Sequence, residues 1–543
     1  MKKEIIIPLA ILVLTASALL FMYKAGIIFN NERTPVTKTA PYIVSLASKA
    51  GEICAANYYD EVLIHKTQEP NQPAKELTAI VKARCRAVYD LWDIANERME
   101  INEDTLFIDM PPAKLLATTS SPTDIDIITE SGEWNFAEEI KNATRDAELT
   151  AKLRAIEDHI FTKADRTGRQ TISKLFGTMG FLVMYTDSLA LQKSIKGTTT
   201  VTADSDIVSF VGRTFRENPK TPRQWAAGAY FTFSFTGDYC QIYLTNEYPS
   251  EKNNFIEIIV DDLPPMKIRT SGQRNLITIG RPPATTATDI HTTATFADLS
   301  PYKHHVTVCR DSETAMGYTQ LDSISAPKVD KWSPKCDMKI EFIGNSITCG
   351  AESDTTGTPR KDYAWGDWHR AYYSYGAITA RNLDAQYSLA SVSGIGLIHS
   401  CCEMGITMPQ VYSKYILRNN EIPYDHKDFE PDIVCCCLGQ NDGVQDSAQF
   451  CGAYVDFIRQ VSKLNPTAKR FVLLSSPMAN DELREWMSRM LPTVVARLKA
   501  EGMAGVSYYM FPRAWNSGGA DHPSVEEQYQ IAKELTEYLK TTK

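Results

Sequence analysis

The sequence predicts an α/β domain, a parallel sheet flanked by helices, that is preceded by a β-sandwich, a mainly helical segment and an N-terminal transmembrane helix. The chain has 543 residues, which is too long for one hydrophobic core. Apolar residues recur at helical spacing early in the chain, alternate in its middle, and form short strands separated by helices after Pro334. These three patterns give the order of the predicted units.

The N-terminus has the pattern of a membrane anchor. Lys2 and Lys3 precede an uncharged run over residues 5–23, about the length that crosses a bilayer as a helix. The preceding positive charges favour an N-terminus in the cytoplasm and export of everything downstream. Ala16-Ser17-Ala18 is an alternative signal peptidase site. We therefore predict an anchor or signal peptide at residues 1–30 and an extracytoplasmic protein, held in the cell envelope or secreted.

Residues 31–200 are predicted to be mainly helical. Apolar residues recur at helical spacing between Lys75 and Met99, a second helix is predicted from Trp134 to Ile160, and a loop rich in Thr, Ser, Pro and Asp separates them. His65 and His159 are isolated and are interpreted as surface or packing residues. The segment carries no chemical motif, so a spacer, a partner-binding module and a cap all stay open.

The β-sandwich is predicted for residues 203–333. Aromatic and hydroxyl residues alternate from Phe231 to Thr236, which predicts a strand with one buried face and one solvent face. Further strands are predicted at Phe255–Val260, Leu276–Ile279 and His305–Cys309. Short strands separated by turns favour an antiparallel sandwich, which either binds carbohydrate or braces its neighbour.

The α/β domain is predicted for residues 336–543. Buried strands are predicted at Met338–Ile343, Asp432–Leu438 and Phe471–Ser475, and helices at Tyr372–Asn382, Ala448–Leu464 and Asp481–Glu501. In such folds the sites collect where the carboxyl ends of the strands meet their loops.

Composition excludes some classes of partner. A net charge of -9 gives no basic surface for nucleic acid, whereas a neutral sugar is compatible with it. The twelve cysteines include Cys401-Cys402 and the run 435–437, both in apolar stretches, so most are expected to be free thiols. The cysteines show no metal-ligand spacing, and we expect neither a metal nor a cofactor. The oligomeric state is not predicted.

Four blocks of residues follow strands of the α/β domain in the order Ser, Gly, Asn, His. They are Gly344-Asn345-Ser346, Ser393-Gly394, Gln440-Asn441-Asp442 and Asp521-His522-Pro523. Each block has an ordinary structural interpretation, since Gly394 also suits a turn and Asn441 or Asp442 also suits a helix cap. We interpret Asp442 as such a cap and the other blocks as one site.

This order resembles the SGNH, or GDSL-like, hydrolases. The resemblance extends to carbohydrate esterase family two, which pairs an N-terminal jelly-roll module with an SGNH domain. The segment 340–350 is similar to the nucleophile block of that family, and 375–381 and 522–524 are similar to further signatures. The resemblance covers the chain from about Val208 onward and leaves out the anchor and the helical segment.

The resemblance implies a role for each block. Ser346 would be the nucleophile and His522 the general base, and the oxyanion hole would consist of the Ser346 amide, the Gly394 amide and the Asn441 side chain. The family places its triad aspartate two or three residues before the histidine, where this chain has Gly519 and Ala520. Asp521 is the remaining candidate acid, and a backbone carbonyl of residue 519 or 520 is the alternative partner of His522.

The predicted function is that of a carboxylic ester hydrolase, a metal-independent serine acetylesterase that acts on carbohydrate. Acetylated hemicellulose-type polysaccharide or oligosaccharide is the substrate typical of the family. Removal of acetyl groups from envelope polysaccharide or peptidoglycan is one alternative, and a non-catalytic glycan-binding protein is another. Trp365, Trp368 and Trp515 lie near the blocks and are the candidates for contact with sugar rings. Packing in the core or a contact between domains is the alternative for each ring, and their loop settings beside small and polar residues favour exposure.

Overall fold

A computed structural model gives the structure of the chain. It describes residues 51–67, 76–102, 105–118, 125–131, 136–185, 198–247, 254–261, 263–270, 274–280, 291–295, 299, 303–356, 363–418 and 422–541. The anchor predicted at residues 1–30 lies outside these ranges. No helix within them is long and apolar enough to span a membrane.

The first unit is a mixed module of strands and helices. Its elements are β1 (Glu52–Thr67), β2 (Glu76–Asp90), α1 (Leu91–Glu97), β3 (Met99–Asn102), β4 (Thr105–Ile108), β5 (Lys114–Thr118), β6 (Ile125–Ser131), α2 (Phe136–Glu157), α3 (Ile160–Thr178) and β7 (Leu182–Tyr185). Strand β2 pairs with β1 on one side and with β5 and β6 on the other, and α2 and α3 pack on this sheet. Strands β3, β4 and β7 form a second sheet.

The prediction of a mainly helical segment is therefore wrong for its first half. The residues from Glu76 to Asp90 form a long strand instead of a helix. Leu77, Ala79, Val81, Ala83 and Cys85 are all buried, while the residues between them are more exposed. This alternation of period two was present in the sequence, but small alanines carry part of it, and the larger apolar residues also fit a helical period. The second helix was predicted correctly, as α2.

The second unit contains two six-stranded sheets. Its strands are β8 (Thr199–Thr202), β9 (Ser209–Val211), β10 (Arg223–Gln224), β11 (Tyr230–Thr236), β12 (Tyr239–Asn246), β13 (Asn254–Val260), β14 (Met266–Thr270), β15 (Arg274–Gly280), β16 (His291–Thr295), β17 (Lys303–Arg310), β18 (Thr319–Ala326) and β19 (Lys328–Asp330). One sheet has the order β10-β18-β12-β15-β16 with β8 beside β18, and the other has the order β14-β13-β17-β11-β19 with β9 beside β11.

Two details differ from the sequence-based prediction. Strand β8 pairs with β18, so the second unit begins before residue 203. Strand β11 has no solvent face, because Thr232 and Ser234 are fully buried. Their hydroxyl groups donate to the carbonyls of Trp332 and Asp330, at 2.8 and 3.2 Å, in the segment that leaves this unit. The alternating polar residues of β11 predicted a solvent-exposed face. In the structure, the segment with Asp330 and Trp332, much later in the chain, covers this face.

The third unit is a parallel sheet flanked by helices. Its elements are β20 (Met338–Gly344), α4 (Ser346–Cys349), α5 (Tyr375–Asn382), β21 (Ala385–Ser391), α6 (Met408–Val411), β22 (Ile433–Cys437), α7 (Ser447–Leu464), β23 (Arg470–Leu474), α8 (Asp481–Ala500), β24 (Val506–Tyr509) and α9 (Val525–Thr541). The order β21-β20-β22-β23-β24 is parallel throughout. The three strands and three helices predicted here are all present, and Cys435, Cys436 and Cys437 are buried in β22, as expected for thiols in an apolar strand.

The register of the sheet aligns three strand ends. Gly344 at the end of β20 pairs with Ser391 at the end of β21 and with Cys437 at the end of β22. Parallel strands end at the same edge of their sheet, so the loops that follow these three residues lie side by side. Those loops carry the Ser, Gly and Asn blocks.

Buried polar contacts join the second and third units. Arg370 donates to both carboxylate oxygens of Glu257, at 2.9 and 3.0 Å, and to Asp354 at 3.0 Å. Arg213 donates to the carbonyls of Tyr412 and Lys414 at 2.7 and 2.6 Å. Charged groups buried in this way fix the relative position of the surfaces they join, because leaving one of them unpaired is costly.

Candidate active site

Ser346 lies directly after the first strand of the parallel sheet. It is the first residue of α4, and Asn345 caps this short helix by accepting a hydrogen bond from the Ile347 amide at 3.1 Å. Gly344 is required at the strand end, because a Cβ there would lie 2.1 Å from the Thr348 hydroxyl oxygen. The Ser346 amide is in the first turn of a helix, where amides have no partner within the helix. The local sequence thus presents both the hydroxyl and the amide of Ser346 at the sheet edge.

The structure brings His522 to Ser346 over a separation of 176 residues. The imidazole Nε2 lies 2.8 Å from the Ser346 Oγ. Burial lowers the pKa of His522, and His369 lowers it further, while the carbonyls of residues 520 and 519 act in the opposite direction. The imidazole is therefore neutral at neutral pH, and its Nε2 is able to accept the serine proton.

Two backbone carbonyls hold the other side of the imidazole. His522 Nδ1 lies 3.0 Å from the Ala520 carbonyl oxygen and 3.2 Å from that of Gly519. Both carbonyls accept only, so the proton of the neutral imidazole is on Nδ1 and Nε2 faces the serine. Ala520 and Asp521 have φ of 48° and 58° in the left-handed region, and this sharp turn lies immediately before His522. Non-glycine residues rarely adopt this conformation, and it often occurs at functional sites.

Asp521 does not occupy the position of a triad acid. Its side chain is exposed, and within the described ranges it forms no hydrogen bond with His522. Position 519 has no room for an aspartate, since a Cβ there would lie 2.6 Å from the Trp368 ring and 2.8 Å from the Glu352 carboxylate. The loop before His522 is therefore built to orient the imidazole through its backbone.

Gly394 and Asn441 lie in the loops that follow β21 and β22, the strands on either side of β20, and a hydrogen bond links these two loops. Gly394 has φ of 82°, and a Cβ on it would lie 3.0 Å from the Cys401 sulfur, so both conformation and space favour glycine. The Asn441 side-chain amide donates to the Ile395 carbonyl at 2.8 Å, which joins the Asn block to the Gly block. This bond uses one of the two amide protons of Asn441.

Asp442 has a different role from the helix cap that was predicted. Its carboxylate accepts hydrogen bonds from the amides of Leu397, Ile398 and His399, at 2.7–3.0 Å. The cap of α7 is Asp446, which accepts from the Gln449 amide at 2.8 Å. Asp442 therefore fixes the loop that follows Gly394, and a carboxylate bound by several amides is a strong anchor.

The three tryptophans proposed for sugar contact divide into two groups. Trp365 is 45% exposed, and its ring centroid lies 6.5 Å from that of His522. Trp368 and Trp515 are 5% and 1% exposed, so the expectation that their loops expose them is wrong. Trp368 packs on Tyr363, and Trp515 packs on Phe511 beneath α9. Their polar sequence neighbours suggested exposure, but tertiary packing buries both rings.

Sequence reasoning missed a buried polar cluster beside the site. His369 is fully buried between two carboxylates, with Nε2 3.8 Å from Glu313 and Nδ1 3.6 Å from Glu352. Tyr363 donates to Glu352 at 2.6 Å. The sequence signal was the charged and aromatic run from Tyr363 to Arg370. Glu313 lies in a different unit, and no local pattern connects it to this run.

No group of three or more His, Cys, Asp and Glu side chains in the described parts of the chain is arranged to hold a metal ion.

Two protein-family models match parts of the chain. Residues 210–292 match "Carbohydrate esterase 2 N-terminal", and residues 48–184 match "Protein of unknown function (DUF4230)". The first match lies in the two-sheet unit and the second covers the mixed module.

Curated relatives match about three fifths of the chain. An acetylxylan esterase / glucomannan deacetylase of Cellvibrio japonicus is 26% identical over 336 residues, which is 59% of this chain and 85% of the relative. The cellulase/esterase CelE of Acetivibrio thermocellus is 26% identical over 360 residues, 62% of this chain and 40% of that protein.

Solved structures match a similar share of the chain. A family two carbohydrate esterase from Clostridium thermocellum, in complex with cellohexaose, has a TM-score of 0.52 at 25% identity and covers 62% of this chain and 98% of that one. The family two esterase from Cellvibrio japonicus has a TM-score of 0.54 at 22% identity, with coverage of 64% and 98%. The predicted resemblance to SGNH hydrolases of the carbohydrate esterase family two type is confirmed, and the chain is a carboxylic ester hydrolase.

Proposed function

We propose that the chain is a serine acetylesterase that removes O-acetyl groups from carbohydrate, with Ser346 as nucleophile and His522 as general base. The 2.8 Å contact between Ser346 Oγ and His522 Nε2 is the observation that supports this most directly. A serine hydroxyl becomes an effective nucleophile when a neutral base within hydrogen-bond reach takes its proton.

In the acylation step, Ser346 Oγ attacks the acetyl carbonyl carbon while its proton passes to His522 Nε2. The negative charge that develops on the carbonyl oxygen is stabilised by the amides of Ser346 and Gly394 and by the second side-chain N–H of Asn441. One such donor is typically worth about 10²–10³ in rate. The tetrahedral intermediate then collapses, the sugar oxygen leaves with the proton from His522, and acetyl-Ser346 remains.

In the deacylation step, water takes the place of the sugar. His522 accepts a proton from the water molecule as its oxygen attacks the acetyl carbonyl carbon of acetyl-Ser346. Collapse of the second tetrahedral intermediate breaks the bond to Ser346 Oγ, which regains its proton from His522, and acetate is released. Throughout, the Gly519 and Ala520 carbonyls accept the Nδ1–H bond, which strengthens when the imidazolium forms.

The substrate is proposed to be an acetylated hemicellulose-type polysaccharide or oligosaccharide. Curated relatives are named acetylxylan esterase / glucomannan deacetylase, and Trp365 supports a sugar substrate because an exposed ring beside the histidine can pack on a pyranose face. The predicted membrane anchor and extracytoplasmic location stay predictions alongside this proposal.

Release of acetate is the test. Purified protein is assayed with 4-nitrophenyl acetate, acetylated xylan, acetylated glucomannan and O-acetylated peptidoglycan, with Ser346→Ala as the matched control. We expect turnover of the plant polysaccharides by the wild type and none by the variant, at an unchanged melting temperature. Faster acetate release from O-acetylated peptidoglycan than from the plant polysaccharides would overturn the proposed substrate class. Turnover by Ser346→Ala equal to that of the wild type would overturn the nucleophile assignment.

A further inference from the structure

One carboxylate of the two-sheet unit reaches the esterase site. Glu313 lies in the loop between β17 and β18, and its side chain is 1% exposed. The loop that carries it is fixed at its start, because the Asp311 carboxylate accepts the Tyr372 amide of the third unit at 2.9 Å. Glu313 therefore enters the third unit from outside, at a defined place.

The Glu313 carboxylate contacts three parts of the proposed site. One oxygen accepts the Ser393 amide at 2.8 Å, directly before Gly394. The other accepts the Trp365 indole N–H at 3.1 Å, and this ring lies against His522. The Cys349 thiol, in the helix that begins at Ser346, lies 3.8 Å from the first oxygen.

The same carboxylate is linked to the loop that orients the histidine. His369 stands between Glu313 and Glu352, at 3.8 and 3.6 Å, and its ring packs edge-on against Trp365. The backbone carbonyl of Glu352 accepts the Gly519 amide at 2.8 Å. This chain of contacts runs from the oxyanion loop to the turn before His522.

A carboxylate is required for this arrangement. Both oxygens accept from N–H donors on different loops, and a carboxylate is the side chain that offers two acceptors in this geometry. Burial alone would raise the pKa of Glu313, but His369, the Ser393 amide and the Trp365 indole outweigh it and lower the pKa to about 2. These contacts thus favour the charged form of Glu313.

We propose that Glu313 is a positioning residue of the esterase: supplied by the two-sheet unit, it sets the place of the Gly394 amide and of Trp365 relative to Ser346 and His522. The two-sheet unit is then part of the active site and more than a neighbouring brace or sugar-binding module. This inference rests on the proposed function, because it assigns Gly394 and His522 their roles in ester hydrolysis.

The chain offers a matched control in Glu247. Its carboxylate also accepts an indole N–H and a backbone amide, from Trp225 at 2.8 Å and from Tyr318 at 3.0 Å. Both donors belong to the two-sheet unit itself. Both donors bond one oxygen of Glu247, which the amide oxygen of glutamine can replace, whereas the two donors of Glu313 bond different oxygens. Glu247→Gln is therefore the control for the loss of a carboxylate charge in the two-sheet unit, and only Glu313→Gln affects donors in the third unit.

The experiment measures kcat and KM on 4-nitrophenyl acetate in the full chain, with melting temperatures. The variants are Glu313→Gln, Glu313→Asp, Trp365→Phe, the double variant Glu313→Gln/Trp365→Phe, and Glu247→Gln. We expect kcat of Glu313→Gln to fall about 10–100-fold, below the cost of deleting an oxyanion donor outright. Glu313→Asp should recover part of the loss, and Glu247→Gln should stay within about twofold of wild type. Trp365→Phe keeps the ring but loses the N–H, so Glu313→Gln should cost less in that background.

The outcomes separate this inference from the proposed function. An active wild type, an inactive Ser346→Ala and a Glu313→Gln variant with the kinetics of Glu247→Gln would overturn the positioning role alone. A wild type no better than Ser346→Ala would overturn the proposed function. If Glu313→Gln does not fold, the Asp and Trp365→Phe variants decide, and wild-type kcat in both would overturn the positioning role.

Discussion

The orientation of His522 leads to a prediction about Asp521. In a Ser-His-Asp triad, weakening the acid costs about 10⁴ in rate, because a buried carboxylate fixes the imidazole tautomer and stabilises the imidazolium. Here the Nδ1 partners are the carbonyls of residues 519 and 520, at 3.2 and 3.0 Å, and the Asp521 carboxylate is exposed. We therefore expect Asp521→Asn to keep kcat/KM within about tenfold of wild type, equivalent to about 1.4 kcal/mol.

The magnitude follows from the surroundings of the two side chains. The Asp521 charge raises the pKa of His522, but its effect is smaller than those of burial, the Ala520 carbonyl, His369 and the Gly519 carbonyl. An exposed charge a few ångströms away interacts by about 1 kcal/mol or less in water-like surroundings. His522→Ala removes the base itself, and loss of a catalytic histidine costs about 10⁴–10⁶ in rate. The two variants should differ by at least about a thousandfold.

The assay is kcat/KM on 4-nitrophenyl acetate for wild type, Asp521→Asn, Asp521→Ala and His522→Ala, with melting temperatures to verify folding. The Asn variant keeps the volume of the side chain, and the Ala variant tests whether Asp521 matters to the turn, where its φ is 58°. An equal collapse of Asp521→Asn and His522→Ala, with both folded, would refute the reasoning and make Asp521 the triad acid.

Three further predictions concern pH, metals and the boundaries of the enzyme. Burial lowers the pKa of His522 below its usual 6.5, so kcat/KM should stay constant as the pH falls past 6.5 and decrease only at a lower pH, where the imidazole becomes protonated. A pH profile whose acidic limb has its midpoint above 6.5 would contradict this. EDTA should leave acetate release unchanged, because a serine and a neutral histidine supply nucleophile and base, and a loss restored by zinc would exclude this mechanism. The folded fragment 198–543 should keep activity within about threefold, since the contact of the first module with the third unit through Arg145, which pairs with Glu526 and stacks on Tyr529, lies outside the described site. Loss of activity by the folded fragment would assign the first module a part in the site.

The local sequence determined the elements of the third unit and the order of its blocks. Strand β22 is a continuous apolar run and is buried along its whole length in the parallel sheet, as such a run predicts. Ser346 and His522 could be chosen because one follows a strand and the other precedes the last helix in a known order. The same reasoning failed for β2, where a strand with alternating small residues also fits a helical period.

Tertiary structure decided what the blocks contact. Whether Trp365 or Trp515 is exposed depends on packing by distant segments, and the two have similar polar neighbours in the sequence but 45% and 1% exposure. The same holds for Asp442, which binds amides of the loop after Gly394 instead of capping its own helix. Glu313 reaches the Ser393 amide from a loop 80 residues earlier in the chain. A hydrogen bond depends on distances within a few tenths of an ångström, and those distances are set by how whole units pack, which local residue patterns do not encode.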